Sequence, residues 1–116
     1  MTAQEQTLKL VTSLIGRCER MVPKFAPGTS QHTLLKNRIQ ALTIGAALLS
    51  EDDVSTYSNG QLSAAMEPLR SIAGKCETAR SKYEPGSGQY NRYGGTIRAM
   101  ELCQELTQNE LRRRTL

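Results

Sequence analysis

The chain has no tryptophan, one phenylalanine and one histidine among 116 residues, while its hydrophobic content is 38%. That combination excludes disorder and points to a core of aliphatic side chains, helical rather than built on aromatic anchors. Three cysteines, Cys18, Cys76 and Cys103, are an odd number with no CxxC pair. A disulfide framework and a zinc site are therefore disfavoured, and each cysteine, set among apolar helical neighbours, reads as a buried free thiol. The N-terminal residues up to Lys9 lack the basic start and apolar run of a secretory signal. The uncharged, mostly apolar stretch Ile39–Ser50 is twelve residues long, where a membrane-spanning helix needs roughly twenty. A cytoplasmic protein with no membrane span is expected.

Catalytic signatures are equally scarce. There is no HExxH, no ExxH carboxylate pair, no P-loop and no GxGxxG. His32, the single histidine, has no cysteine near it in sequence and no recognisable orienting carboxylate. It reads as a helix-capping or loop-packing residue. The expectation is a protein that is not an enzyme, with no catalytic residue, no metal and no cofactor.

The length suits a single domain, residues 1–116. The formal charge of +4 includes Arg112, Arg113 and Arg114, without which the balance falls to +1. Basicity thus sits mainly in a tail, residues 112–116, and a generally nucleic-acid-coating protein is not implied.

Apolar positions Leu8, Val11, Ile15, Cys18 and Val22 recur at alternating spacings of three and four, predicting a first helix that ends at Pro23 and the Ala26-Pro27-Gly28 turn. Thr29 or Ser30 caps a second helix along Leu35, Ile39, Leu42, Ala46 and Leu49. Its later half is uncharged all round, which suits a central helix approached from several sides. Glu51–Asp53 and the polar run Ser55–Gly60 read as a connection. A third helix carries Leu62, Met66, Leu69, Ala73, Cys76 and Tyr83, with Pro68 either kinking it or marking its regular start. After Glu84-Pro85-Gly86-Ser87-Gly88, the last helix carries Ile97, Met100, Cys103 and Leu106 and frays into the arginines.

Displacing the chain by 58 residues superposes its halves, 1–58 on 59–116. Ser13-Leu-Ile-Gly-Arg-Cys-Glu19 falls on Ser71-Ile-Ala-Gly-Lys-Cys-Glu77, and Lys24-Phe-Ala-Pro-Gly-Thr-Ser-Gln-His32 falls on Lys82-Tyr-Glu-Pro-Gly-Ser-Gly-Gln-Tyr90. Eleven of the 36 positions from Ser13 to Leu48 are identical, without a gap, where chance gives roughly two. The pattern is an internal duplication of an αα-hairpin, and two such hairpins bury their apolar faces together. The expected architecture is all-α: an antiparallel four-helix bundle with a pseudo-twofold axis.

In such a bundle the two Pro-Gly loops share one end. There Lys24, Gln31 and His32 from one loop and Lys82, Gln89, Tyr90 and Arg92 from the other surround two helix N-termini. Exposed N–H groups and basic side chains suit an anionic small ligand or an acidic partner segment. Turn chemistry and a lysine opposing a helix C-terminus account for the same residues structurally. Gly94 and Gly95 read as part of a flexible loop running to Thr96, or as a place of close backbone approach.

The leading expectation is a non-enzymatic binding or regulatory module acting through the paired loops. A helical bundle that associates through an apolar helix face, monomeric or homodimeric, is one alternative. A nucleic-acid-binding regulator using Lys36, Arg38 and the arginine tail is another, weakly supported because those two side chains point about 200° apart on a helix. In size, helicity and basic tail the chain resembles bacteriocin-immunity bundles, a likeness of architecture that adds an immunity-type bundle as a minor alternative.

Overall fold

Four helices were expected, and four are present. The structure, a computed structural model, describes residues 2–116; Met1, which opens the expected repeat 1–58, lies outside the described residues. Helix α1 spans Ala3–Met21 and runs into a short 3-10 turn, Val22–Lys24; α2 spans Ser30–Leu49, α3 Asn59–Arg80 and α4 Gly88–Arg114. No strand occurs among the described residues.

The helix ends follow from local chemistry. The Thr2, Thr29, Ser58 and Ser87 side chains each accept a hydrogen bond from a backbone N–H in the first turn of the helix that follows. At α3 the cap is reciprocal: Ser58 Oγ accepts from Gln61 N–H, and the Gln61 side chain accepts from Ser58 N–H. This capping box starts α3 at Asn59, inside the stretch read as connection, and nine residues before Pro68. Pro68 is therefore internal to α3 and does not mark its start, and Tyr83, expected on the same helix, lies beyond its end at Arg80, in the turn where its N–H donates to Arg80 O. Helix α2 ends with Glu51 at φ 57°, Glu51 N–H donating to Leu48 O and Asp52 N–H to Ala47 O, a left-handed cap that satisfies two terminal carbonyls.

Two expectations are corrected in α4. The helix begins at Gly88, so Gly94 and Gly95 lie within it, and no flexible loop runs to Thr96. Two glycines cost about 1 kcal/mol each in helix propensity; the Ser87 cap and the burial of Ile97, Met100 and Cys103 outweigh that cost. At the other end α4 continues through Arg114 instead of fraying at the arginines.

Packing centres on α2, as its uncharged half predicts. It contacts α1, α3 and α4, whereas α1 touches α4 only slightly and has no close backbone approach to α3. The most extensive interface is between α3 and α4. The molecule is compact, with a radius of gyration of 14.6 Å, and flat, with extents of 44 × 38 × 22 Å, the shortest being two helices thick. Its core is aliphatic: Leu42, Ile44, Leu62, Leu69 and Met100 have no exposed surface, joined by Val11 and Cys103. Thr107 is buried too, its hydroxyl donating to Cys103 O at 2.7 Å. Helix α1 is the most peripheral, and Val11 is its one fully buried residue.

Helices α2 and α4 pack tightly at Gly45. A Cβ there would lie 2.7 Å from Cys103 Sγ and 3.1 Å from Cys103 Cβ. Gly45→Ala is expected to lower stability by about 1–2 kcal/mol despite its better helix propensity, because buried Cys103 has no room to move. Adding Cys103→Ala should restore much of the loss in thermal melts.

Arg114 is not part of a solvated tail. It donates to Tyr57 O (2.7 Å), Val54 O (2.8 Å), Asn59 Oδ1 (3.1 Å) and Glu110 Oε2 (2.8 Å), tying the end of α4 to the α2–α3 connection. Arg114→Ala is expected to cost about 2 kcal/mol by orphaning two carbonyls of that connection. Arg113→Ala, which removes an exposed guanidinium but leaves Glu110 paired with Arg114, should leave the melting temperature nearly unchanged.

Candidate functional site

The two Pro-Gly loops are built alike. Gly28 and Gly86 have φ of 89° and 91°, a backbone that side chains resist. Thr29 N–H donates to Ala26 O at 3.2 Å, and Ser87 N–H to Glu84 O at 3.0 Å. The caps also consume groups that an anion would need. His32 N–H donates to Thr29 Oγ1 and Tyr90 N–H to Ser87 Oγ, while the next amides, of Thr33 and Asn91, are bonded to Thr29 O and Ser87 O. Each helix N-terminus is thereby left with less to offer than its sequence suggests.

Of the seven residues expected to form one site, Gln31 and Arg92 line separate clefts and Tyr90 packs against Arg80. Lys24, at the end of the 3-10 turn, is exposed, as are Lys82 and Gln89; His32 is half-buried. Tyr90 lies under the Arg80 guanidinium, 5.0 Å from Cζ to ring centroid, and Tyr83 stacks on Tyr93 with centroids 6.0 Å apart. The second loop is therefore occupied by its own aromatic packing. Arg92 lines a cleft of about 440 Å³ between α1 and α4, with Lys9, Leu10, Ser13, Leu14 and Arg17. Gln31 lines a different cleft, of about 350 Å³. Neither cleft draws on both loops.

The cleft at Gln31 arises because α1 and α3 both pack on α2 but stand apart from each other. Helix α2 supplies its floor with Leu34, Leu35, Arg38 and Leu42. Leu14, Arg17, Cys18 and Met21 of α1 form one wall with Phe25, and Ile72 and Lys75 of α3 form the other. Three cations line it and no carboxylate does. Among the described residues the ion pairs are Arg70–Glu67, Arg113–Glu110 and Arg114–Glu110, so Arg17, Arg38 and Lys75 have none. Arg38 Nη2 makes a long contact of 3.5 Å to Ser71 Oγ, and Arg38 Nε is buried with no hydrogen-bond partner. A desolvated guanidinium donor without an acceptor is costly, and an anion in the cleft would relieve it.

Sequence reasoning singled out Arg38 as part of a surface face and passed over Arg17 and Lys75. A signal for the latter pair was present: both are basic within the matched segments Gly16-Arg17-Cys18-Glu19 and Gly74-Lys75-Cys76-Glu77. Periodicity does not bring these segments to one cleft; that requires knowing that α1 and α3 flank α2.

Cys18 and Cys76 are half-buried and not wholly buried as expected, whereas Cys103 is fully buried. Burial pushes the Cys18 and Cys76 thiols up, partly offset by the positive charges of Arg38 and Arg17. Burial alone pushes Cys103 to about 11. All three are protonated at neutral pH and are not activated nucleophiles. Among the described residues no group of three or more His, Cys, Asp or Glu side chains is placed to hold a metal ion, and no helix is long and apolar enough to cross a membrane.

With this geometry in hand, the chain was compared with protein-family models, curated proteins and solved structures, and it matches none of them.

The thiols provide a probe of the cleft's field. In Ellman titrations of the folded protein, Cys103 should be unreactive, while Cys18 and Cys76 react slowly at neutral pH and faster as pH rises. Arg38→Met removes a charge that favours both thiolates and should slow both at a given pH.

Proposed function

We propose that this protein is a non-enzymatic binding module, acting in the cytoplasm, that takes an anionic ligand beside its first Pro-Gly loop. The observation that carries this reading is the cleft lined by Arg17, Arg38 and Lys75, with no carboxylate among its lining residues and an unpartnered, desolvated Arg38 Nε. Arg17 and Lys75 are exposed and Arg38 is half-buried, so the cost falls on one desolvated donor, Arg38 Nε, which an anionic acceptor would satisfy. The three cysteine thiols are not activated nucleophiles, and their odd number fits a reducing compartment. Lys24, His32, Lys82 and Arg92 lie around the loops and act in this reading by drawing an anion in, while Gln31 reaches the cleft itself. Gln89 and Tyr90 belong to the second loop and would contribute only at its edge.

The same reading takes the architecture to be an antiparallel four-helix bundle of two duplicated hairpins. Two structural features support it besides the sequence identities. Gly45 and Cys103, in contact where α2 meets α4, are 58 positions apart. A residue touching its own repeat counterpart lies near a twofold axis. The groove between α2 and α3, lined by Asn37, Gln40, Ala41, Ala64 and Pro68, has its counterpart between α4 and α1 at Gly95, Arg98, Ala99, Gln6 and Leu10, again displaced by 58. Arg17 and Lys75 are then equivalent cations contributed by the two copies to one cleft.

A thermal-shift series with inorganic phosphate and small carboxylates, at low and high salt, tests the reading. An anion at a hundred times its Kd adds about 2.7 kcal/mol of stability, a rise of several degrees for a chain this size. Arg38→Met with Lys75→Met should abolish the rise. His32→Ala with Arg92→Ala should weaken it mainly at low salt, as loss of long-range attraction requires. No rise with any anion at either salt would overturn the proposal.

A further inference from the structure

We infer that the ligand of the α1–α2–α3 cleft is a small amphipathic anion, one oxyanion head on an apolar body of about eight carbons. This inference rests on the anion-binding reading above and adds the chemistry of the rest of the ligand. The cleft holds about 350 Å³, at the small end of ligand sites. At the roughly 30 Å³ that a water molecule occupies in the liquid, that is room for about a dozen non-hydrogen atoms. A bare phosphate would answer the three cations but leave most of this space filled with water against apolar walls. Those walls are extensive: Leu14, Met21, Phe25, Leu34 and Ile72 all line it.

Two of these side chains remain uncovered in the protein itself. Met21, at the C-terminal end of α1, is 43% exposed, and Phe25, the only phenylalanine in the chain, is half-buried at the loop. An apolar ligand body laid against them removes that surface from water. The polar complement of the cleft is almost wholly cationic, with Gln31 the one uncharged amide and no acidic residue. A neutral apolar molecule therefore leaves Arg38 Nε unsatisfied, and a nucleotide or acidic peptide exceeds the volume. A carboxylate or a phosphate monoester satisfies the head; the walls specify the tail.

The test is a calorimetric titration of the full chain with octanoate, octyl phosphate, inorganic phosphate and octanol, each below its aggregation limit. At least one of the two octyl anions should bind tenfold or more tightly than both inorganic phosphate and octanol, and which of them wins identifies the head. Arg38→Met should weaken that anion at least tenfold. Met21→Gln, at an exposed position that leaves the fold intact by circular dichroism, should weaken the octyl anion and leave inorganic phosphate unaffected. If inorganic phosphate binds as tightly as the octyl anions and depends on Arg38, the amphipathic ligand is overturned while the anion site stands. If octanol binds as well as octanoate and Arg38→Met changes neither, or if nothing binds, the anion site falls with it.

Discussion

The close approach of α2 and α4 at Gly45 and Cys103 is the constraint on which the remaining arrangement depends. With no side chain at Gly45, the Cys103 sulfur occupies the space a Cβ would take. Helix α2 can then pack on three neighbours at once, which only a helix uncharged around its later half tolerates. With α4 taking one side of α2, α1 and α3 are left on its other flanks, with no close approach of their backbones. The cleft is the space between them. A small residue in the core and a cavity near the loops are thus two consequences of one packing choice.

That choice has an electrostatic consequence. Helix α2 changes character along its length, from the polar turn at Gln31 and Lys36 to the apolar run after Ile39, and Arg38 stands at the change. Its guanidinium is drawn partly under the surface between α1 and α3, where Nε loses water without gaining an acceptor. Arg17 and Lys75 stand over the same space. Arg17 and Lys75 are exposed to water, so the unmet requirement is local to one donor, Arg38 Nε. The two loops show the opposite economy. In both, the Thr29 and Ser87 caps take up amides at the start of the following helix, and the second loop adds its own aromatic packing, so loops that match so closely in sequence offer little free hydrogen-bonding capacity.

Much of the fold was legible before the structure. Alternating spacings of three and four marked the apolar face of each helix, and the Pro-Gly turns separated α1 from α2 and α3 from α4. Where the reading failed, a local rule met a stronger contact. Gly94 and Gly95 were read as loop because glycine weakens a helix, yet Ser87 caps α4 ahead of them and burial beyond them holds the turn. The start of α3 was missed although Ser58-Asn-Gly-Gln61 carries the capping-box spacing in plain view. Arg112–Arg114 looked like a solvated tail because nothing local distinguishes Arg114, whose partners at Val54 and Tyr57 are distant in sequence.

What the sequence determined by itself is the local and the periodic: four helices, no strand, an aliphatic core, a central second helix and two matched turns. These follow from spacing, capping and composition, which act over a few residues. The tertiary structure alone decided where the cations converge. Arg17, Arg38 and Lys75 sit on three different helices, and their meeting depends on how α1 and α3 flank α2, which side-chain volume at Gly45 and Cys103 sets. The loops carry the visible sequence pattern, whereas the cleft between α1 and α3 is not visible in it, because charge and cavity are properties of packing between segments far apart in the chain.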